Sequence, residues 1–552
     1  MTSTGLFSKV KATKTRFPQY IIAFLALILS TMQVVGCNLS LEHGTSVHSH
    51  IGPFLGLIPA WMWVVIWLVE IFAFYFVLRS LFRALNRNSK TTYTRYQIKK
   101  PILIFIIGAI GMLICWLPIL LANLPGFFNY DISGQLIQVM YADLNDFSTH
   151  HSLASTLVMG GIITLGYKLF DSLFAGILLY SCFQMVLCSL TFAYSLYFIY
   201  KKTQRTWLVV AGFLFYALSP TISMFTTSTT KDVICSLLVL VAALLTFDML
   251  EDSESFFERP TKPIYLATTL VFASLFRKNI IYAVILFAIM YLCFLASKRK
   301  AVAILFAATL IGYFGISFAL EKGLDAVPGG AAEAFSIPIQ QIGYLYVSEG
   351  EDAFTPEELN LLYNMMPEGQ WSKYSPFISD SLKNYLYTDY FNEHKGEFLS
   401  LWAQKFLQYP AQYIKAFFNL TYQAWYPGTS IYDGEIYYFD FYGGNYRIEK
   451  TTYIPVLTDL CEKISLGFYY QKIPVLRLLF SLGFMFWVML TTLAYGLYSK
   501  RKMIWGTVLL AFCVSLTCLA GPISLVRYYL ILFYAFPVFL ALFFYKQKPT
   551  NL

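Results

Sequence analysis

The chain has 552 residues, of which 57% are hydrophobic and 13% are charged, and its net charge is +9. A soluble domain usually has about a quarter of its residues charged, so this composition excludes an ordinary soluble enzyme. Apolar runs of spanning length recur, which predicts an all-α polytopic membrane protein. The positive charge does not indicate nucleic acid, because many basic residues lie in short loops between apolar runs. We expect membrane lipids, and no nucleic acid, among the partners.

The positive-inside rule determines the predicted topology. Basic residues precede the first span, and the strongest basic loop, from Arg79 to Lys100, follows the second. About twelve spans then alternate consistently, with both chain ends cytoplasmic. In chain order the predicted spans are about 18–35, 54–78, 101–121, 173–200, 207–225, 233–250, 264–276, 280–296, 302–320, 475–498, 504–520 and 525–545.

Four regions follow from this topology. They are two N-terminal spans with a basic cytoplasmic loop (1–100), a transmembrane module with a large outer loop at 122–172 (101–320), a mainly helical extracytoplasmic domain (321–474) and the C-terminal spans (475–552).

Two stretches need separate treatment. The apolar stretch 152–172 is predicted to lie along the outer interface or to dip into it, because a crossing there would place Lys201 and Lys202 on the wrong side. The stretch 431–446 is predicted to form a hairpin or a mobile flap.

The outer loop at 122–172 holds a cluster of titratable side chains, which are uncommon in a sequence with 13% charged residues. Its candidate catalytic residues are Asp131, Asp143, Asp146, His150 and His151. A carboxylate at the outer end of a span can take a proton from an acceptor hydroxyl while the substrate lies in the outer leaflet. Each acid has the alternative of a solvated group or a helix cap. The histidine pair has three open roles, which are orienting a phosphate, ligating a cation or supporting the structure.

Cations on the outer side form the second signal, because the positive-inside rule disfavours them there. The candidates are Lys231, Arg277, Lys278 and Arg527. Facing the same side as Asp131, they could bind a lipid diphosphate or monophosphate. The alternative is that they snorkel to lipid headgroups. We expect Asp131, Arg277 and Arg527 to line one outward-facing cavity.

Seven short stretches, in this order, resemble the GT-C glycosyltransferase superfamily and, within it, a little-characterised polytopic family of Gram-positive bacteria. They are FFNYDISGQ, THHS, SPTISMFTTSTTKD, LFRKN, SIPIQQIGY, QYPAQYIKAFFNLTYQAWYPG and RYY. The layout departs from the superfamily in two ways. Two extra spans precede the outer loop, and Ser152 follows the histidine pair where many relatives have a proline.

The resemblance implies inverting transfer of a sugar from a polyprenyl-phosphate donor to a cell-envelope glycan or glycolipid acceptor, on the outer face of a bacterial plasma membrane. Asp131 would be the general base. The donor phosphate would be held by the outer cations Lys231, Arg277, Lys278 and Arg527. The extracytoplasmic domain would cover the acceptor groove with Gln340, Gln341, Trp425 and Tyr426.

No cofactor and no bound metal are predicted, because no clean DxD motif stands in the first loop; a divalent cation remains an open alternative. Two other functions also stay open. A flippase or transporter of lipid-linked sugar usually shows an inverted repeat or intramembrane charges, but here no inverted repeat is apparent and intramembrane charges are few. A polysaccharide polymerase or ligase would depend on arginines and histidines in the late outer domain, which has only Arg447 and His394.

Overall fold

A computed structural model describes residues 4–45, 58–88, 98–142, 146–429, 448–465, 473 and 476–545. The structure is 79% helical, and its described residues contain isolated β-bridges but no β-strand. Eight helices among these residues are long and apolar enough to cross a membrane, by length and composition. The chain is therefore an all-α membrane protein, as predicted. Asp143 and the stretch 431–446 lie outside the described residues.

Thirteen helices come first among the described residues, and they include both long apolar helices and short connecting ones. They are α1 (Thr4–Glu42), α2 (Ala60–Asn88), α3 (Ile102–Ala122), α4 (Tyr130–Met140), α5 (Leu153–Phe170), α6 (Leu173–Thr203), α7 (Thr206–Leu218), α8 (Pro220–Phe225), α9 (Lys231–Glu251), α10 (Ser253–Glu258), α11 (Thr261–Phe276), α12 (Ile280–Phe294) and α13 (Arg299–Gly323).

Nine further helices follow in the part of the chain that the structure describes. They are α14 (Ser336–Glu349), α15 (Pro356–Met365), α16 (Asp380–Lys383), α17 (Thr388–Gln408), α18 (Pro410–Trp425), α19 (Pro455–Ser465), α20 (Leu482–Tyr498), α21 (Lys502–Leu519) and α22 (Leu530–Leu542). Every one of the twelve predicted spans contains a helix. Five of these spans contain an apolar helix shorter than the long class, and the other seven are among the eight long apolar helices.

Contacts between α6 and α9 define the two ends of the bundle. Nζ of Lys202, near the end of α6, lies 2.7 Å from Oδ1 of Asp248, near the end of α9. Nε2 of Gln184, earlier in α6, donates to the carbonyl of Ser228 (2.8 Å), just before α9 begins. The two helices are therefore antiparallel. We call the end with Lys202 and Asp248 the Lys202 end, and its basic residues predict that it is cytoplasmic. We call the opposite end the Asp131 end, because Thr229, next to Ser228, pairs with Phe127 just before α4.

Helix α5 is the long apolar helix that no predicted span contains, and it begins and ends at the Asp131 end. Ser152, just before it, donates to the carbonyl of Leu275 near the end of α11. Sγ of Cys235, in the second turn of α9, reaches the carbonyl of Ala273 (3.6 Å), which places this end of α11 beside the start of α9. The other end of α5 packs against the first turn of α6, where a Cβ on Gly166 would touch the backbone of Gly176. Both ends of helix α5 thus lie at the Asp131 end. The helix is also one of the eight that are long and apolar enough to cross a membrane, so the interfacial position of 152–172 stays a prediction.

A small helical unit, residues 331–425, lies between α13 and α19, and we call it the insert domain. It has a hydrophobic core of its own, which includes the fully buried Trp371, Leu362 and Phe398. The C-terminal half of α18 leaves this core, because Tyr422 and Trp425 pack into the core of the membrane bundle. Helix α18 therefore fixes the insert domain to the Asp131 end of the bundle.

Candidate functional site

Asp131 and Asp232 occupy the same position in two helices that begin side by side. Asn129 caps α4 and accepts a hydrogen bond from the backbone N–H of Asp131 (3.3 Å). Thr230 caps α9 and accepts from the backbone N–H of Asp232 (3.5 Å). Both acids therefore lie in the first turn of a helix, where the helix dipole stabilises a negative charge.

Backbone pairing holds the two helix starts together. The N–H of Phe127 donates to the carbonyl of Thr227 (3.0 Å), and the N–H of Thr229 donates to the carbonyl of Phe127 (2.9 Å). Gly126 precedes this pairing with φ +123°, and a Cβ at this position would lie 2.7 Å from the carbonyl oxygen of Thr227. The close approach that brings Asp131 next to α9 therefore requires glycine.

Asp131 lies against two of the predicted cations. Nη1 of Arg527 donates to Oδ2 of Asp131 (2.9 Å) and to Oδ1 of Asn129 (3.3 Å). Nζ of Lys231 donates to the same carboxylate oxygen at 3.5 Å. Asp131 is 17% exposed and Lys231 16%, so this side of the cluster reaches the surface.

Asp232 holds the third cation on the buried side of the cluster. Nη1 of Arg277 donates to its Oδ1 (2.7 Å), and Nε of Arg527 lies 4.0 Å from its Oδ2. The side chain of Asp232 is only 1% exposed. The ring of Tyr528 contacts both guanidinium groups, with Cζ of Arg277 at 4.1 Å and Cζ of Arg527 at 5.2 Å from its centre. Two arginines from distant helices are thus held in place by one carboxylate and one aromatic ring.

His151 supports Lys231 as a neutral acceptor. Its Nδ1 lies 3.1 Å from Nζ of Lys231. Burial lowers the pKa of His151, and the charge of Lys231 lowers it further, to about 3, although Asp131 opposes the change. The ring is therefore neutral near pH 7. Because Nδ1 accepts from the ammonium group, the ring proton resides on Nε2.

The electrostatics of the cluster restrict what it can bind. Burial raises the pKa of the Asp131 carboxyl, but the positive charges of Arg527 and Lys231 outweigh this effect and hold the pKa well below its usual range. The three cations Lys231, Arg277 and Arg527 face the two carboxylates of Asp131 and Asp232, so with His151 neutral one net positive charge remains. Such a cluster favours a ligand with a single negative charge.

Three further candidates, Lys278, His150 and Asp146, do not belong to this cluster. Lys278 donates to the backbone carbonyl of Thr149 and so holds the loop before His150. The ring of His150, which is exposed, meets that of His151 edge-on at 4.7 Å. Asp146 is exposed and does not join the ion pairs of Asp131. Asp131, Arg277 and Arg527 therefore meet in one ion-paired cluster, whereas Lys278 and Asp146 lie outside it. The outward-facing cavity expected among the three residues stays a prediction.

The four residues predicted to cover an acceptor groove are buried instead. Nε2 of Gln341 donates to the carbonyl of Tyr413 (3.1 Å), and its Oε1 accepts from Nε1 of Trp402 (2.8 Å). Buried with it are Gln340, Trp425 and Tyr426. These side chains hold α14 and α18 in place, and burial leaves them no surface with which to line a groove. An aromatic or amide side chain in an amphipathic helix is read equally well as a packing residue or as a binding residue.

Two residues of the cluster had no predicted role, namely Asp232 and Tyr528. A signal for Asp232 exists in the sequence, because Asn129-Tyr130-Asp131 and Thr230-Lys231-Asp232 share the pattern of a capping residue followed two positions later by an acid. Nothing in the local sequence distinguishes Tyr528 from its neighbour Tyr529. Within the described part of the chain, no group of three or more His, Cys, Asp or Glu side chains is placed to hold a metal ion.

Comparison with known proteins adds a family but no activity. No curated protein and no solved structure matches the chain. The model of a family of unknown function (DUF6020) matches residues 142–551, which include Lys231, Arg277, Arg527 and the whole insert domain. The chain belongs to this family of unknown function.

Proposed function

We propose that this protein is a membrane glycosyltransferase of the GT-C type, which transfers a sugar from a polyprenyl-phosphate donor to a cell-envelope acceptor at the outer face of the membrane. The observation that carries the proposal is the contact of the Asp131 carboxylate with Arg527 and Lys231 at one end of a membrane bundle. A candidate base and candidate phosphate-binding groups thus occupy one site.

The cationic cluster suits the phosphate of such a donor. Arginine presents paired N–H donors that match phosphate oxygens, and the starts of α4 and α9 add the positive ends of two helix dipoles. The net single positive charge favours a phosphodiester, which carries one negative charge, over a diphosphate, which carries more. This charge balance supports the monophosphate of the two donor classes that the sequence leaves open.

Two neighbouring apolar cavities offer room for the lipid chain. One, of about 710 Å³, lies between α7 and α22 and is lined by Trp207, Phe215 and Phe536 among others. The second, of about 250 Å³, reaches α19, and both cavities are lined by Leu218 and Pro220. Six residues beyond Phe225, the chain continues into Lys231 at the start of α9. The second cavity, which Met224 lines, therefore lies close along the chain to the start of α9, and we propose that the lipid chain occupies these cavities with its phosphate at the cationic cluster.

Asp131 gains basicity when the donor arrives. Without an anion, Arg527 and Lys231 stabilise the charged carboxylate and make it a weak base. A phosphate that accepts hydrogen bonds from these cations offsets their stabilisation of the Asp131 carboxylate. Burial then raises the pKa of the Asp131 carboxyl. The donor thereby activates the base beside it.

The reaction then proceeds by displacement. The acceptor hydroxyl gives its proton to Asp131 while its oxygen attacks the anomeric carbon from the face opposite the phosphate. The bond from that carbon to the phosphate oxygen breaks, and its electron pair stays with polyprenyl phosphate. The cations stabilise this leaving group as its charge develops. Attack from the opposite face inverts the configuration of the sugar.

The test compares purified wild type, Asp131→Asn and the matched control Asp352→Asn, which removes an exposed carboxylate of the insert domain. Each protein receives a panel of polyprenyl-phosphate sugars with candidate acceptors, and release of free polyprenyl phosphate is measured. Asp131→Asn should be slower by about 10²- to 10⁴-fold, the usual contribution of a general base. Equal release by all three proteins would transfer the role of base to Asp143 or Asp146. No release with any donor, together with movement of lipid-linked sugar across a liposome bilayer, would replace the proposal with a flippase.

A further inference from the structure

A cleft of about 450 Å³ opens between α2 and α20, far from the cluster around Asp131. Arg83, Asn86 and Arg87, in the last turns of α2, line one side of it. Tyr498, the last residue of α20, lines the other side. The cleft thus lies where two helices that belong to different parts of the chain end side by side.

The contacts around the cleft place it at the Lys202 end. The buried ring of Phe82 packs against that of Tyr498, with 5.2 Å between their centres. Just beyond α20, Nη1 of Arg501 donates to the carbonyl of Tyr545 (2.9 Å). The hydroxyl group of Tyr545 donates to the carboxylate of Glu251 (3.1 Å), the last residue of α9. Because α9 ends at the Lys202 end, the cleft opens at that surface of the membrane.

The positive charge of the cleft is not neutralised by a carboxylate. Arg83 and Arg87 are exposed, and neither forms an ion pair within the part of the chain that the structure describes. The residues from Arg79 to Lys100 include seven basic side chains and no acidic one. Two guanidinium groups one helical turn apart favour an anion, and their paired N–H donors match the oxygens of a phosphate.

An apolar stripe leads along α2 to these arginines. Phe72 and Phe76 precede Arg83 by eleven and seven positions, and these spacings place all three side chains on one face of the helix. The two phenylalanines are 65% and 57% exposed, and almost none of the span in α2 is buried inside the protein. In a membrane this face contacts acyl chains. A lipid that lies along it therefore brings its phosphate to the cleft.

The charge of the cleft also distinguishes between classes of phospholipid. A zwitterionic headgroup such as phosphocholine brings an ammonium group close to Arg83 and Arg87, which repel it. A phosphoglycerol headgroup brings the phosphate without a positive charge. Basic pockets between membrane helices bind anionic headgroups for this reason. A soluble phosphate would meet the same arginines but would make no use of the apolar stripe.

We propose that the cleft between α2 and α20 binds an anionic phospholipid from the leaflet at the Lys202 end. Its phosphate lies on Arg83 and Arg87, and its acyl chains follow Phe72 and Phe76. Such a lipid holds α2, which lies outside the residues matched by the family model, against α20, which lies inside them. The proposal does not rest on the proposed function, because it concerns the opposite end of the bundle.

The test measures lipid binding to the purified protein by native mass spectrometry. The probes are phosphatidylglycerol and phosphatidylcholine with identical acyl chains, and inorganic phosphate in large excess serves as competitor. Wild type should bind phosphatidylglycerol more tightly than phosphatidylcholine, and inorganic phosphate should not displace it. Arg83→Gln/Arg87→Gln should bind phosphatidylglycerol about 30-fold more weakly, which corresponds to about 2 kcal/mol, or about 1 kcal/mol for each arginine.

The matched control is Arg299→Gln/Lys300→Gln, which removes two exposed positive charges at the start of α13, also at the Lys202 end. It should bind phosphatidylglycerol like wild type. Equal affinity of wild type for the two lipids, or equal loss in the cleft variant and the control, would overturn the proposal. So would unchanged binding in the cleft variant. Displacement of phosphatidylglycerol by inorganic phosphate would assign the cleft to a soluble anion instead. Both arginines of the cleft are exposed, so glutamine at these positions leaves the packing of α2 intact.

Discussion

The carboxylate of Asp131 and the guanidinium group of Arg527 lie 2.9 Å apart, although 396 positions separate them in the sequence. Asp131 stands at the start of α4, and Arg527 lies in a short 3₁₀ turn just before α22. The site is therefore completed only when the last helix of the chain packs against the rest of the bundle.

Arg527→Lys should lower kcat/KM for donor turnover by about 10- to 100-fold, which corresponds to a loss of about 1.4 to 2.8 kcal/mol. The substitution keeps the charge, but an ammonium group cannot bridge Asn129, Asp131 and Asp232 as the planar guanidinium group does. Steady-state kinetics with varied donor measure the effect. Arg299→Lys, at the Lys202 end, is the control and should match wild type. Unchanged kinetics in Arg527→Lys would show that charge alone is sufficient.

His151 should make the protein less stable as the pH falls. Its pKa is lowered to about 3 in the folded protein, below its ordinary value of 6.5. Between these values the unfolded chain binds the extra proton, so the free energy of unfolding decreases as pH falls through this window. From pH 8 to pH 5 the loss is at most about 2 kcal/mol.

Thermal unfolding of wild type and His151→Asn across this pH range measures that loss. The amide oxygen of asparagine replaces Nδ1 as acceptor for Lys231 but does not titrate. The melting temperature of the variant should therefore depend less on pH between 6.5 and 5. Parallel curves for the two proteins would contradict a neutral His151.

Asp232→Asn should change which donor the site prefers. Loss of this buried charge raises the net charge of the cluster by one and leaves Arg277 without its ionic partner. We expect the turnover of polyprenyl-diphosphate sugars to rise relative to that of polyprenyl-phosphate sugars, because the added positive charge suits the more highly charged anion. Competition between the two donors measures the ratio. The melting temperature should fall as well, since a buried ion pair is broken. An unchanged ratio would contradict selection of the donor by charge.

Tyr528 should act through its ring and not through its hydroxyl. Both guanidinium groups contact the ring, and a cation–π contact is worth about 0.5 to 2 kcal/mol. Tyr528→Phe should keep kcat/KM within about threefold of wild type, because it keeps the ring. In Tyr528→Leu, kcat/KM should fall by about tenfold or more, because two such contacts are removed. Binding of inorganic phosphate, measured by calorimetry, should weaken in parallel. Equal values for the two variants would exclude a role for the ring.

Gly329→Ala should separate the 122–172 loop from the segment 324–330, which connects α13 to the insert domain. The new methyl group would overlap the backbone of His150, and overpacking of this kind costs about 1 to 3 kcal/mol. The neighbouring Gly330 has open space around it, so Gly330→Ala is the matched control. Thermal unfolding should show a lower melting temperature for Gly329→Ala alone. A similar loss in both variants would indicate an effect of the backbone and not of this contact.

Much of the fold was predictable because long apolar runs need a membrane whatever their neighbours are. The sequence alone determined the all-α membrane class, and each of its twelve predicted spans contains a helix. It also identified Lys231, Arg277 and Arg527, because basic residues on the predicted outer side stand out against the charge rule. These inferences depend only on local composition.

The tertiary structure decided which side chains meet. It placed Asp131 against the cations and left Asp146 outside, it joined Arg277 to Asp232, and it buried Gln341. Such contacts join positions far apart in the chain and depend on how helices pack, and local patterns do not encode that packing. The sequence by itself thus determined where the helices form and which charges are unusual. The packing of α4, α9 and α22 decided that these charges form one site.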